Sequence, residues 1–173
     1  MMQATRSATA TAEFRPMIEI EMDVEVFASN WSHCDRISSY LARMVSHNRT
    51  DSLLYTNLFS SALNELLETV FRRHSGGGKF RCNVLRMDDV DRIELTIPID
   101  NSQAAFYTEA VKALHGPMVS DQYRQALFSE GPLDPRIGLF ELAVDYGAVF
   151  SVEPSGPATL RLVADLALED SEQ

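Results

Sequence analysis

A single glutamate is the residue whose type and position best suit proton-transfer chemistry. Glu65 lies at the edge of the apolar arc of a predicted helix, about residues 51–73, with Thr69 one turn further on. A carboxylate at such a boundary is partly buried, and burial raises its pKa towards the range of a general base. The same position also suits a structural glutamate that accepts a hydrogen bond from a backbone N–H, or from Arg72 or Arg73. The residues alone leave both interpretations open.

Other reactive side chains lack the spacing that their usual roles require. Cys34, Cys82 and the four histidines show no metal-ligand spacing, so we expect no zinc site and two buried thiols. The Gly-Gly-Gly-Lys string at 76–79 precedes a predicted strand and lacks the spacing of a P-loop, so it predicts a flexible loop. The spacing supports no Ser-His-Asp or Cys-His nucleophile.

The composition disfavours two classes of partner. The chain has 173 residues, with 25 acidic and 15 basic side chains and a net charge of −10. A charge this negative disfavours binding to nucleic acid and to anionic membranes. No apolar run reaches the roughly 20 residues that cross a bilayer. We therefore predict one domain over 16–170 in a bacterial-type cytoplasm, after a disordered tail over 1–15 that is rich in Ala, Thr and Ser.

Hydrophobic periodicity predicts the elements that position these residues. Alternating apolar and acidic residues predict a first strand over 18–26 with one acidic face. Helices are predicted over about 31–47, 51–73, 102–114, 121–128 and 136–146, and strands over 79–87, 92–99, 148–153 and 158–168. The order β-α-α-β-β-α-α-α-β-β predicts an α/β chain of the two-layer α+β class, with a five-stranded mixed or antiparallel sheet and helices on one face. Arg81, Arg92 and Arg161 are the predicted partners of the acidic face.

Two stretches of the chain carry a family resemblance. Residues 62–70, Ala-Leu-Asn-Glu-Leu-Leu-Glu-Thr-Val, resemble the N-box helix of the GHKL (Bergerat) ATP-binding fold of histidine kinases, gyrase and Hsp90. Residues 137–160 are similar to the G2 box, its helix and the closing hairpin of that fold. The small size and the strand-helix-helix opening are most similar to anti-sigma factor serine kinases of the SpoIIAB and RsbW type, with SiaB-type regulators as a related alternative. The resemblance covers about 17–168.

The resemblance implies a phosphate and metal region that this chain has in a degenerate form. Glu65 matches the family's catalytic glutamate, but Thr69 stands where the family has the Asn that binds Mg²⁺, and its shorter hydroxyl is a poor replacement. Gly138 matches one of the family's phosphate-binding glycines. Phe140 stands at a position where the family has another of these glycines, and its bulky ring would obstruct phosphate.

The resemblance also implies an adenine-binding region. Asp100 stands in the place of the family's adenine-binding Asp, without the two glycines that should follow it, and Thr159 matches the Thr of the closing strand. The segment 102–130 corresponds to the family's lid. We expect its helices to close over the former ATP pocket, with Phe106 or Tyr107 filling it.

Together these features lead to a functional expectation and its alternatives. The resemblance implies a regulatory protein that has lost competent ATP chemistry, needs no cofactor and binds a partner of the STAS-domain, sigma-factor or response-regulator type, with homodimerisation as a further expectation. The alternative is an active serine/threonine protein kinase, with Glu65 as general base, Thr69 at Mg²⁺ and Asp100 at the adenine of ATP. A small-molecule sensor using the pocket near Phe140 and Tyr107 is a third alternative.

Overall fold

The structure, a computed structural model, describes residues 12–171, and the side chains up to Glu169. The predicted tail over 1–15 therefore falls mostly outside the described residues, and its last member, Arg15, begins the first strand. In the described part of the chain, no helix has the length and apolar character needed to cross a membrane.

The elements follow the predicted order, with two short helices in addition, one directly after the first strand and a 3-10 helix at the end of the described chain. They are β1 (Arg15–Asp23), α1 (Val24–Ala28), α2 (Ser32–Val45), α3 (Ser52–Arg73), β2 (Lys79–Met87), β3 (Val90–Pro98), α4 (Asn101–Leu114), α5 (Val119–Phe128), α6 (Ile137–Asp145), β4 (Val149–Pro154), β5 (Thr159–Leu166) and a 3-10 helix (Leu168–Ser171). The prediction that the first strand continues to residue 26 was wrong. Val24 and Phe27, at helical spacing, are both buried, and the Phe27 ring stacks on Phe80 at 4.6 Å, so the chain turns inward after Asp23.

The five strands form one antiparallel sheet with the order β1-β2-β3-β5-β4. Alternate residues of the central strands are buried, as Ile93, Leu95 and Ile97 of β3 illustrate. These residues join one core with the apolar faces of α2 and α3. The structure thus confirms an α+β fold in which helices cover one face of the sheet.

The other face of the sheet is charged. Arg81 on β2 pairs with Glu21 at 2.7 Å and with Glu19 at 3.6 Å, as predicted for the acidic face of β1. The same prediction was wrong for two other arginines, because β1 is an edge strand and its described neighbour is β2 alone. Arg92 pairs instead with Asp165 at 2.7 Å, and Arg161 pairs with Glu153 at 3.7 Å.

A buried ion cluster ties the end of α2 to the sheet. The Asp91 carboxylate is fully buried and accepts hydrogen bonds from Arg86 at 2.6 and 3.0 Å and from Arg49 at 3.3 Å. Arg86 also donates to the carbonyl oxygen of Val45, the last residue of α2. Burial raises the pKa of Asp91 to about 7, and the charge of Arg49 opposes that rise. Removing Asp91 would leave Arg86 largely buried without its described acidic partner.

Candidate functional site

Helices α3 and α6 touch at a glycine. A Cβ added to Gly138, in the first turn of α6, would lie 2.7 Å from Oγ1 of Thr69 and 3.3 Å from the carbonyl oxygen of Glu65. Real Cβ atoms do not approach another atom this closely, so only glycine permits the two helices to cross here. The glycine serves close packing of two backbones in this structure.

The Thr69 hydroxyl is already engaged within its own helix. Thr69 is 1 % exposed, and its hydroxyl donates a hydrogen bond of 3.0 Å to the carbonyl oxygen of Glu65. A Mg²⁺ ion needs oxygen ligands at about 2 Å in near-octahedral geometry and keeps several water molecules. The burial of this hydroxyl and its hydrogen bond within α3 disfavour such an ion here, since both would have to change to admit it.

Glu65 lies beside the same contact without a charged partner. Its Oε2 atom is 3.4 Å from the position of the added Cβ of Gly138. Burial raises the pKa of the Glu65 carboxyl, and the charges of Glu141 and Glu68 raise it further. The interpretation that an arginine pairs with Glu65 was wrong: Arg72 pairs with Glu68 at 3.2 Å, and Arg73 lies over the Phe106 ring at 3.9 Å.

The surroundings of Glu65 are acidic. Burial and the charges of Asp145 and Glu68 raise the pKa of Glu141 on α6, while Asp145 accepts a hydrogen bond of 3.0 Å from Tyr123. In the described residues, no group of three or more His, Cys, Asp or Glu side chains has the geometry to hold a metal ion. An anionic phosphate chain placed here would be repelled by the carboxylates, because the charge of Arg72, which lowers the pKa of Glu65, offsets them only in part.

The other two predicted nucleotide residues line a separate cavity. Asp100 and Thr159 contribute to a cavity of about 480 Å³ between the start of α4 and the β4–β5 hairpin, with Ile99, Val152 and Leu160 as apolar walls. The residues lining this cavity come from the β3–α4 connection, α4, β4, β5 and the β4–β5 turn, and none comes from α3 or α6. The structure therefore groups Glu65, Thr69 and Gly138 in one place, and groups Asp100 with Thr159 in another.

Asp100 also has a structural role. Its carboxylate accepts a hydrogen bond of 2.8 Å from the backbone N–H of Gln103, and the Gln103 side chain accepts one from the backbone N–H of Asp100. This capping box makes Asp100 the N-cap of α4. The Gln103 amide also donates to the carbonyl oxygen of Arg73, which ties α4 to the end of α3.

The segment 102–130, which was predicted to form a lid, contains two helices, α4 and α5. Tyr107 of α4 is fully buried, and its hydroxyl lies 2.7 Å from Nε2 of His74. Burial lowers the pKa of His74 to about 4, so the imidazole is neutral at neutral pH. A backbone hydrogen bond to Pro98 favours the protonated imidazole and opposes that shift. Phe140 is also fully buried, with the Arg136 guanidinium 5.0 Å from its ring.

The contact between His74 and Tyr107 was not predicted from the sequence, because the glycines that closely follow His74 indicate a loop. Position 74 is nevertheless four residues after Val70, and both residues are buried, so the apolar period of α3 extends to His74. The cysteines, by contrast, were predicted correctly: Cys34 and Cys82 are buried, and burial raises the pKa of each thiol to about 12.

No protein family, curated protein or solved structure matches the chain. A functional assignment therefore depends on the geometry above and on the resemblance of the sequence motifs.

Proposed function

We propose that the chain is a bacterial, cytoplasmic regulatory protein that binds a protein partner and has lost competent ATP chemistry. The observation that carries the proposal is the contact between Gly138 and the Thr69 hydroxyl, with 2.7 Å between Oγ1 and an added Cβ. In the GHKL fold that the sequence resembles, the corresponding residues hold Mg²⁺ and the phosphates. Phosphoryl transfer depends on metal charge and positioning, so the contact removes what the reaction needs.

The local charge supports the same proposal. A nucleoside triphosphate is strongly anionic. Glu65 has Glu68 and Glu141 as acidic neighbours, and Asp145 adds its charge at Glu141. The one described cation paired with this group, Arg72, is held by Glu68. Since the described residues offer no metal-binding group here and their one paired cation is engaged, the free energy of bringing phosphates to these carboxylates is unfavourable.

The proposed partner is a protein of the STAS-domain, sigma-factor or response-regulator type, as the resemblance implies. A chain that keeps a well-packed fold and lacks a competent nucleotide site still offers its surfaces for recognition. Homodimerisation belongs to the same proposal.

The alternative function, an ATP-dependent serine/threonine protein kinase, is supported by the cavity between the start of α4 and the β4–β5 hairpin. Asp100 and Thr159 line one space of about 480 Å³ with apolar walls, which is the kind of environment that an adenine ring requires. In this alternative, Glu65 is the general base and ATP with Mg²⁺ is the cofactor.

A single variant distinguishes the two functions. We expect the wild-type chain and Glu65→Ala to bind the partner equally, with no transfer of radiolabelled γ-phosphate from ATP to the partner by either. Partner phosphorylation by the wild type that Glu65→Ala abolishes, with binding unchanged, would establish the kinase. Ser61→Ala, an exposed neighbour on α3, is the matched control for a nonspecific effect on the helix.

A further inference from the structure

The solvent-exposed side of α2 combines cationic and apolar side chains at helical spacing. We define the α2 face as Arg36, Tyr40, Arg43 and Met44, which repeat at intervals of three and four residues and therefore lie on one side of the helix. Tyr40 and Met44 are each 52 % exposed, and both arginines are exposed. The opposite side of α2, which includes Ile37, Leu41 and Val45, is buried in the core.

The two arginines of the α2 face differ from most cations of the chain in having no ion pair within the described residues. The majority of the described Lys and Arg side chains form ion pairs with acids. Within the described residues, Arg36 and Arg43 form none, and α2 carries a single acid, Asp35. On a chain with a net charge of −10, two uncompensated arginines on one helix face form a local cationic surface.

We propose that the α2 face is the docking surface for an acidic amphipathic helix of the protein partner. This inference rests on the proposed function, since it names the surface and the chemistry of the partner that the function requires. Tyr, Met and Arg are the residues enriched where proteins bind each other. Arg36 and Arg43 are seven residues apart, which is about 10 Å along the helix axis, so carboxylates spaced by two turns fit them.

A second exposed apolar surface is less suited to this partner. The α5 patch consists of Met118, Leu127, Phe128 and Leu133, and Phe128 is 81 % exposed. Its nearby charges, Arg124 and Asp121, pair with each other at 3.7 Å, so the patch offers no uncompensated cation to an acidic segment. Charge complementarity therefore favours the α2 face, and docking at the α5 patch is an outcome that the experiment separates.

The experiment uses the full chain, carrying a photo-crosslinking phenylalanine derivative in place of Tyr40 or, as the matched control, in place of Phe128. Each form is expressed in the native host, irradiated, and its crosslinked peptides are sequenced by mass spectrometry. We expect the Tyr40 position to crosslink an acidic segment with apolar residues at helical spacing. That segment is then synthesised as the probe for affinity measurements.

Charge-reversal variants measure how much the two arginines contribute to the affinity for this segment. We expect Arg36→Glu with Arg43→Glu to weaken binding of the synthesised segment at least tenfold, because like charges would face each other. We expect Lys112→Glu, which reverses an exposed cation on α4 that has no ion pair in the described structure, to leave the affinity within twofold. Replacing two acids of the segment by arginine should restore binding to the reversed chain. Since both arginines are exposed, the variants should unfold at the wild-type temperature.

The outcomes separate this inference from the proposed function. A partner that crosslinks through position 128, or that binds the doubly reversed chain with wild-type affinity, overturns the α2 face and leaves the proposed function standing. A basic crosslinked segment overturns the acidic occupant. Failure of both positions to crosslink any protein above the level of unirradiated samples overturns the inference and the partner-binding function together.

Discussion

The two halves of the predicted nucleotide site differ in whether the surrounding atoms leave room for a ligand. At the crossing of α3 and α6, the Gly138 backbone contacts the Thr69 hydroxyl, and acidic side chains surround the contact. At the start of α4, Asp100 and Thr159 line an open cavity of about 480 Å³. We call the crossing of α3 and α6 the closed half of the predicted site; phosphates and Mg²⁺ would need positive charge and space there. We call the cavity beside Asp100 the open half; a flat, uncharged ring would need only apolar walls there.

The difference shows that residues assigned to one predicted site can have unlike surroundings. In the closed half, Thr69 and Gly138 have packing roles: Thr69 donates to its own helix, and Gly138 permits a helix crossing. In the open half, Asp100 caps α4 whether or not the cavity is filled. Residues can thus match a motif and be explained entirely by the free energy of folding.

The largest expected effect concerns the wall of the open half. The buried contact between His74 and Tyr107 holds α4, which forms that wall, against the end of α3. The pKa of His74 is about 4 in the folded chain and about 6.5 when unfolded, so the unfolded state binds more protons between these values. We therefore expect His74 to lower the free energy of unfolding by about 3 kcal/mol as the pH falls from above 6.5 to 4. Urea unfolding of wild type and His74→Gln across this range measures it as the difference between the two curves.

The control for that prediction keeps burial and removes one hydrogen bond. We expect Tyr107→Phe to lower the free energy of unfolding by about 1 kcal/mol at every pH while retaining the pH dependence of the wild type. Parallel curves for wild type and His74→Gln would contradict a buried, neutral His74.

The second effect tests the closed half directly. Gly→Ala in a helix normally stabilises by about 0.5–1 kcal/mol, but at Gly138 the new Cβ would meet the Thr69 hydroxyl at 2.7 Å. We expect Gly138→Ala to destabilise by about 2 kcal/mol. Adding Thr69→Ala should recover much of that loss, because it removes the atom in conflict. Urea unfolding of the two single variants and the double variant gives the coupling free energy.

Gly77 provides the matched control for this cycle. A Cβ added there meets no atom within 4 Å, so Gly77→Ala should change stability by less than about 0.5 kcal/mol. An increase in stability on Gly138→Ala, with no coupling to Thr69, would mean that α3 and α6 are separated and that the closed half is open.

The smallest effect concerns the charge of Glu65. Because burial, Glu141 and Glu68 raise its pKa, the ionised carboxylate is disfavoured in the folded chain. We expect Glu65→Gln to increase the free energy of unfolding at pH 7 by about 0.5 kcal/mol, with the gain vanishing as pH falls and Glu65 of the wild type becomes protonated. Glu68→Gln, which weakens the bonds to Arg72 and Asn64, should bring no such gain. A loss of stability on Glu65→Gln would indicate a favourable partner for the carboxylate.

Local patterns predicted the elements well, because each depends on residues close in sequence. The second strand was predicted over the residues that form it, Lys79–Met87, and the third within two residues of each end of Val90–Pro98, where buried and half-buried residues alternate. The end of β1 was missed because Val24 and Val26 continue the alternation, whereas burial of Phe27 decides for a helical turn.

Contacts between distant segments were less accessible to sequence reasoning. Spacing along the chain does not encode which elements cross, so the approach of Gly138 to Thr69 could not be read from either motif. For the same reason, Arg92 and Arg161 were assigned to β1 before the strand order placed them beside Asp165 and Glu153.

Calorimetric titration of the purified chain with Mg-ATP and with ADP tests the central proposal most directly. Because the metal and phosphate half is closed and acidic, we expect no heat of binding at millimolar nucleotide for the wild type, Glu65→Ala or Thr69→Ala. Micromolar binding by the wild type that both variants lose would contradict the proposal and establish a working nucleotide site at the crossing of α3 and α6.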